Sequence, residues 1–80
     1  MEETRLYSTG ELAGKHGLSV RALQFYDREG LLSPSATSEG GRRLYSEKEE
    51  GRLELILEYK ALGLSLDEIK EVLSEANPYG

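Results

Sequence analysis

The 80-residue chain has no cysteine, which excludes disulfide staples and thiolate metal sites. Its one histidine, His16, cannot build a zinc site by itself. Long apolar runs are missing as well: none approaches the ~18 residues of a membrane span, and the acidic opening MEETR is unlike a basic signal-peptide start. The expectation is a soluble, cytoplasmic protein with no membrane partner. Positive charge is in deficit, with ten Lys+Arg against fifteen Asp+Glu and a net charge of −5. As a single number this argues against nucleic acid, but the distribution changes the argument. Residues 1–46 carry six basic and six acidic side chains, whereas residues 47–80 carry four basic and nine acidic. The whole excess therefore lies in the C-terminal part. Long-range steering toward DNA is weak, while local phosphate contacts remain available within a Debye length of ~8 Å. Size sets a further bound: one small domain, whose core supplies only ~3–5 kcal/mol of net stability, leaves little room for a deep substrate pocket.

What is present is regular punctuation. Ser8 with Glu11, Ser46 with Glu49 and Ser65 with Glu68 are three capping boxes, and Ser19 is a fourth candidate N-cap. Gly17, Gly30 and Gly63 follow the intervening apolar segments as stops. The spacing predicts a helix-turn-helix over 8–30, a hairpin around Gly40-Gly41 within 31–45, and supporting helices over 46–62 and 65–75. Pro78 disfavours helix at Asn77. The expected fold is one mainly α domain: four helices with a small two-stranded β wing, anchored by Leu31, Leu32, Leu44 and Tyr45. The third helix, with stripes Leu53/Ile56/Leu57 and Leu55/Tyr59/Leu62, is expected to be buried over a broad arc.

The second helix carries the chemistry. At 100° per residue Val20, Ala22, Leu23 and Tyr26 fall on one side, and Arg21, Gln24, Phe25 and Arg28 on the other. An exposed stripe of arginine, amide and aromatic suits a DNA groove, because arginine forks two donors to guanine or phosphate. Phe25 on that stripe is expected to be partly exposed and to mark a contact, and Tyr26 to be a packed ring with its hydroxyl reaching outward. His16 reads as a helix-end residue with no ligand role. Glu47, Glu49, Glu50, Glu54 and Glu58, with Glu68, Glu71 and Glu75, form acidic helix faces. Those faces support an alternative, a stand-alone protein-interaction module meeting a basic partner. With no nucleophile–base pair, metal cluster or phosphate-cradling loop beside them, the carboxylates do not suggest an enzyme, and no cofactor is expected.

Three motifs in order, YSTGELAGKHGLSVRALQFYDREGLL, GGRRLYS and ILEYKALGLSLDEIKEVL, make the chain from Leu6 to Leu73 similar to the N-terminal DNA-binding domain of MerR-family transcription regulators. The texture of the second and third is nearest the multidrug-responsive, thiostrepton-induced type. The resemblance implies a winged helix-turn-helix in which the second helix enters the major groove of double-stranded promoter DNA. The wing touches backbone or minor groove, and a basic residue late in the third helix meets a phosphate. Matched residue by residue, these roles fall to Arg21, Gln24, Phe25, Tyr26 and Arg28, to Arg42 and Arg43, and to Lys60. The resemblance also implies that the full protein is a homodimer that acts on RNA polymerase indirectly, by distorting the promoter.

Several positions depart from the family pattern. The wing reads Gly41-Arg42-Arg43 where glycine-tyrosine-arginine is usual, Gln24 replaces a basic residue, and Phe25 replaces the first tyrosine of a pair. Glu50 and Gly51 stand where a leucine and a polar helix former are usual, which is expected to weaken the start of the third helix. The long pairing helix and effector region of the family have no counterpart up to Gly80. The 80 residues are thus expected to be an excised N-terminal domain, monomeric alone.

Overall fold

Serine hydroxyls open the helices of the computed structural model, which describes residues 5–76, with side chains to residue 74. Ser8 precedes α1 (Thr9–Lys15) and accepts the Glu11 N–H, while the Glu11 carboxylate accepts the Ser8 N–H at 2.9 Å. Ser19 precedes α2 (Val20–Arg28) and accepts the Ala22 N–H at 3.1 Å. Ser46 opens α3 (Glu47–Ala61) and Ser65 opens α4 (Leu66–Ala76), and each serine N–H donates in return to the carboxylate of Glu49 or Glu68 at 2.8 Å. All four caps thus satisfy amide donors that a helix leaves unpaired at its start. Between α1 and α2 the chain reverses at Gly17, whose φ of 70° suits a residue without Cβ. The stop expected at Asn77 and Pro78 lies outside the described residues.

The four helices and the wing are as expected, but the sheet has one more strand. β1 (Leu6–Ser8), β2 (Ala36–Thr37) and β3 (Arg43–Ser46) form an antiparallel sheet in the order β1-β3-β2. The segment before α1 thus pairs with the return arm of the wing, with Leu6 opposite Ser46, Tyr7 opposite Tyr45 and Ser8 opposite Leu44. This addition answers a physical need, since an isolated two-stranded hairpin is marginal in water. The cross-strand pair Tyr7–Tyr45 turns both rings into the core. At the wing tip, Gly41 has φ of 84°, and Ser38 accepts the Gly41 N–H through its carbonyl and the Arg42 N–H through its hydroxyl.

One apolar cluster holds the elements together: Leu12 and Ala13 of α1, Leu23 and Tyr26 of α2, Leu31 and Leu32, the two sheet tyrosines, Leu53 and Ile56 of α3, and Ile69 and Leu73 of α4. Three expectations fail here. Val20 is 42% exposed, because it sits in the first turn of α2, ahead of the packed part of that helix. Leu55 and Leu62 are 40% and 75% exposed, so α3 buries a narrower arc than its composition suggests. Glu50, expected on the acidic surface, is buried. Its carboxylate accepts from Lys15 Nζ at 2.8 Å and lies 2.9 Å from His16 Nε2. Here the departure from leucine is compensated: α3 is tied at its start to the last turn of α1, and a carboxylate near a helix N-terminus is also favoured by the macrodipole. The Lys15 hydrogen bond, with His16 adding to it, holds the Glu50 carboxyl below its ordinary pKa against the opposing effect of burial. Glu50, and then the Tyr7 hydroxyl, raise that of Lys15.

Glu49 and Glu68 are engaged in capping boxes. The acidic faces therefore reduce, among the described side chains, to Glu47, Glu54, Glu58 and Glu71. The side chain of Glu75 lies outside the described residues. No helix among the described residues is long and apolar enough to cross a membrane.

Candidate nucleic-acid interface

Burying Leu23 and Tyr26 fixes the rotation of α2 and leaves Arg21, Gln24 and Arg28 exposed on its outer side. Phe25 lies between the two regimes: it is half-buried, packs on the edge of the core, and meets Tyr26 with ring centroids 6.0 Å apart at 53°. Its ring thus supports the helix as well as facing outward. Tyr26 is only 3% exposed, so its ring belongs to the core and only its hydroxyl is placed for an outside contact.

That hydroxyl is met from 34 residues away. Lys60, in the last turn of α3, brings Nζ to 3.5 Å from the Tyr26 oxygen and 5.9 Å from its ring centroid. The position suits a cation twice, near the negative end of the helix dipole and over an aromatic face. Lys60, Arg21, Arg28, Phe25, Tyr26 and Ser19 line one concavity of about 470 Å³. Its chemistry is that of an anion site with an apolar floor: three flexible cations, hydroxyl donors and an aromatic edge.

The wing forms the second half of the face. Arg42 and Arg43 are both exposed, and with Gln24, Ser8, Thr9 and Gly10 they line a cleft between the wing and the start of α1. A neighbouring cleft is lined by Gln24, Asp27, Arg28 and Arg43. Gln24 thus stands between both arginine groups, with an amide that offers both donor and acceptor. Arg43 Nε donates to Asp27 Oδ2 at 2.8 Å. Six of the eight residues singled out from sequence are therefore exposed on this face, Phe25 is half-exposed, and Tyr26 contributes its hydroxyl.

Sequence reasoning missed Asp27, Ser8 and Thr9. Asp27 could have been found as a lone carboxylate three residues after Gln24 on an otherwise basic stripe. Ser8 and Thr9 could not, since only the pairing of β1 with β3 brings them beside the wing. Away from this face, His16, Glu50 and Glu54 place ligand atoms within 4.8 Å of one another. The Lys15 ammonium on Glu50 already supplies the cation there.

The family described as "MerR HTH family regulatory protein" matches residues 7–76. The chain is 46% identical over 69 residues to the HTH-type transcriptional activator TipA of Streptomyces coelicolor, covering 86% of this chain and 27% of that protein. To the activator mta of Bacillus subtilis it is 45% identical over 71 residues, covering 89% and 28%. The chain thus spans little more than a quarter of the length of these relatives. Among solved structures, the N-terminus of the Bacillus subtilis multidrug transporter activator, MtaN, superposes with a TM-score of 0.82 at 46% identity, covering 84% of this chain and 63% of that one. HiNmlR, a MerR family regulator lacking the sensor domain and bound to promoter DNA, gives 0.82 at 37% identity, covering 95% and 57%. With its helix-turn-helix, its wing and a family match over nearly its whole length, the chain belongs to the MerR HTH family of regulatory proteins.

Proposed function

We propose that this chain is the DNA-binding module of a transcription regulator, with α2 in the major groove of promoter DNA and the wing and Lys60 on the flanking phosphates. The observation that carries the reading is convergence. Arg21 and Arg28 of α2, Arg42 and Arg43 of the wing and Lys60 of α3 come to one face of a chain whose net charge is −5. A solvated surface has no reason to separate charge in that way, whereas phosphate contacts do. Gln24 and Phe25, at the middle of the exposed stripe, are the base-facing positions: the amide pairs with an adenine edge and the ring edge with a thymine methyl. The promoter-bound HiNmlR structure, from the same family, supports the DNA-binding reading.

In a longer protein of the length of TipA or mta, the module would act as one half of a homodimer on an inverted repeat in the cytoplasm. It would alter promoter shape so that RNA polymerase is affected without direct contact. By itself the 80-residue chain engages one half-site as a monomer. It performs no catalysis in this reading. Selection of bound sequences from a randomised duplex pool tests it. Enrichment of one half-site, lost in Gln24→Ala with affinity for mixed DNA retained, supports base reading by α2. A pool that stays random, with Arg21→Ala and Lys60→Ala both binding DNA as the parent does, refutes it.

A further inference from the structure

One carboxylate lies inside the basic face. Asp27 sits on α2 between Gln24 and Arg28, at the mouth of the wing cleft, where an approaching phosphate would be repelled by an unpaired negative charge. Its side chain is 19% exposed and takes Arg43 Nε at 2.8 Å, while Arg43 itself is 54% exposed. An arginine has five N–H donors, so the bond of Nε to Asp27 leaves the terminal nitrogens of Arg43 without a partner among the described residues. The pair also joins two elements that are not consecutive in the chain, α2 and β3. A half-exposed ion pair adds little to stability, about 0.2–1 kcal/mol or less, so its consequence lies in geometry.

From this geometry, and resting on the DNA-binding reading above, we infer that Asp27 is a positioning residue for the wing. It holds the Arg43 guanidinium across the cleft at a fixed offset from α2, with its free edge toward a backbone phosphate. Arg43 in turn cancels the Asp27 charge where that phosphate approaches. The two residues act as a unit. Neither contributes its full share to binding without the other.

A double-mutant cycle on the 80-residue chain, with a short mixed-sequence DNA duplex as probe and fluorescence anisotropy as readout, tests this. Arg43→Ala should weaken binding about ten-fold and Asp27→Ala about three-fold, with the double variant no weaker than Arg43→Ala alone, a coupling within the range for contacting residues. Asp27→Ala should also flatten the salt dependence, by up to the ~0.9 of slope that one phosphate contact carries. Asp27→Glu, which keeps charge and acceptor, should restore both. A merely structural role would shift the melting curve and leave that slope unchanged. Two results overturn the inference: losses that multiply in the double variant, meaning independent residues, or tighter binding by Asp27→Ala, meaning that Asp27 withholds Arg43 from DNA. Arg21→Ala and Lys60→Ala separate the two failures. If they weaken binding while the cycle shows no coupling, only the inference fails; if they and Arg43→Ala are all without effect, the DNA-binding reading fails first.

Discussion

Raising salt is the perturbation that most directly measures how many cations on this face meet phosphate. Five are exposed there: Arg21, Arg28, Arg42, Arg43 and Lys60. Each neutralised phosphate adds about −0.9 to the slope of log affinity against log salt, so five contacts give a slope of about −4.5 and a loss of roughly 500-fold between about 50 and about 200 mM salt. If only four of the five meet phosphate, the slope is about −3.6 and the loss roughly 150-fold over the same range. Lys60 is the cleanest probe, since its ammonium touches only the Tyr26 hydroxyl and ring among the interactions described, and its removal leaves the core intact. Lys60→Met should make the slope about 0.9 shallower, shrinking the loss over that range about 3.5-fold. Anisotropy titrations of a labelled duplex at several salt concentrations supply the slopes. A parent slope shallower than about −2, or one that Lys60→Met leaves unchanged, would refute the assignment of this face to the DNA backbone.

Three further outcomes concern the scaffold. Ser46→Ala removes the acceptor for the first amides of α3 and its half of the capping box, and should cost about 1 kcal/mol, seen by circular dichroism as a melting midpoint about 4–8 °C lower. An unchanged midpoint would mean that α3 is held by its core contacts alone. Leu23→Ala empties a fully buried position on the core side of α2 and should cost about 2–5 kcal/mol, comparable with the whole stability of a domain this size, so the variant should be largely unfolded at room temperature. A cooperative melt near that of the parent would show that the core collapses around the loss. Glu50→Gln should be less stable than the parent at neutral pH. The folded Glu50 pKa lies below its ordinary 4.5, so its contribution is present above 4.5 and is lost as pH falls through the lower folded value. The Lys15 side of the pair has the opposite sense, its contribution being present below 10.5 and lost as pH rises through the raised folded value. Urea midpoints of the two proteins across pH should therefore converge in acid; a gap that persists at about pH 2 would place the effect of Glu50 outside its charge.

The sequence by itself determined the four helices, because each is opened by a serine whose hydroxyl acts over two or three residues, a local rule that needs no tertiary partner. It also determined which side of α2 faces outward, since burying Leu23 and Tyr26 requires Arg21, Gln24 and Arg28 to point away. Everything that joins distant segments was decided by the tertiary structure. β1 is three residues long and carries no strand signal of its own, so only pairing with β3 creates it and brings Ser8 and Thr9 to the wing. Leu55 and Leu62 match the composition of a buried stripe, yet the neighbours of α3 do not reach them. Glu50 read as a weakness until the end of α1 supplied Lys15 and His16. The same holds for Asp27, a carboxylate on a basic stripe in the sequence and an anchor for Arg43 in the fold. Charge pairing acts over a few ångströms, whatever the separation along the chain, and no periodicity in the sequence encodes it.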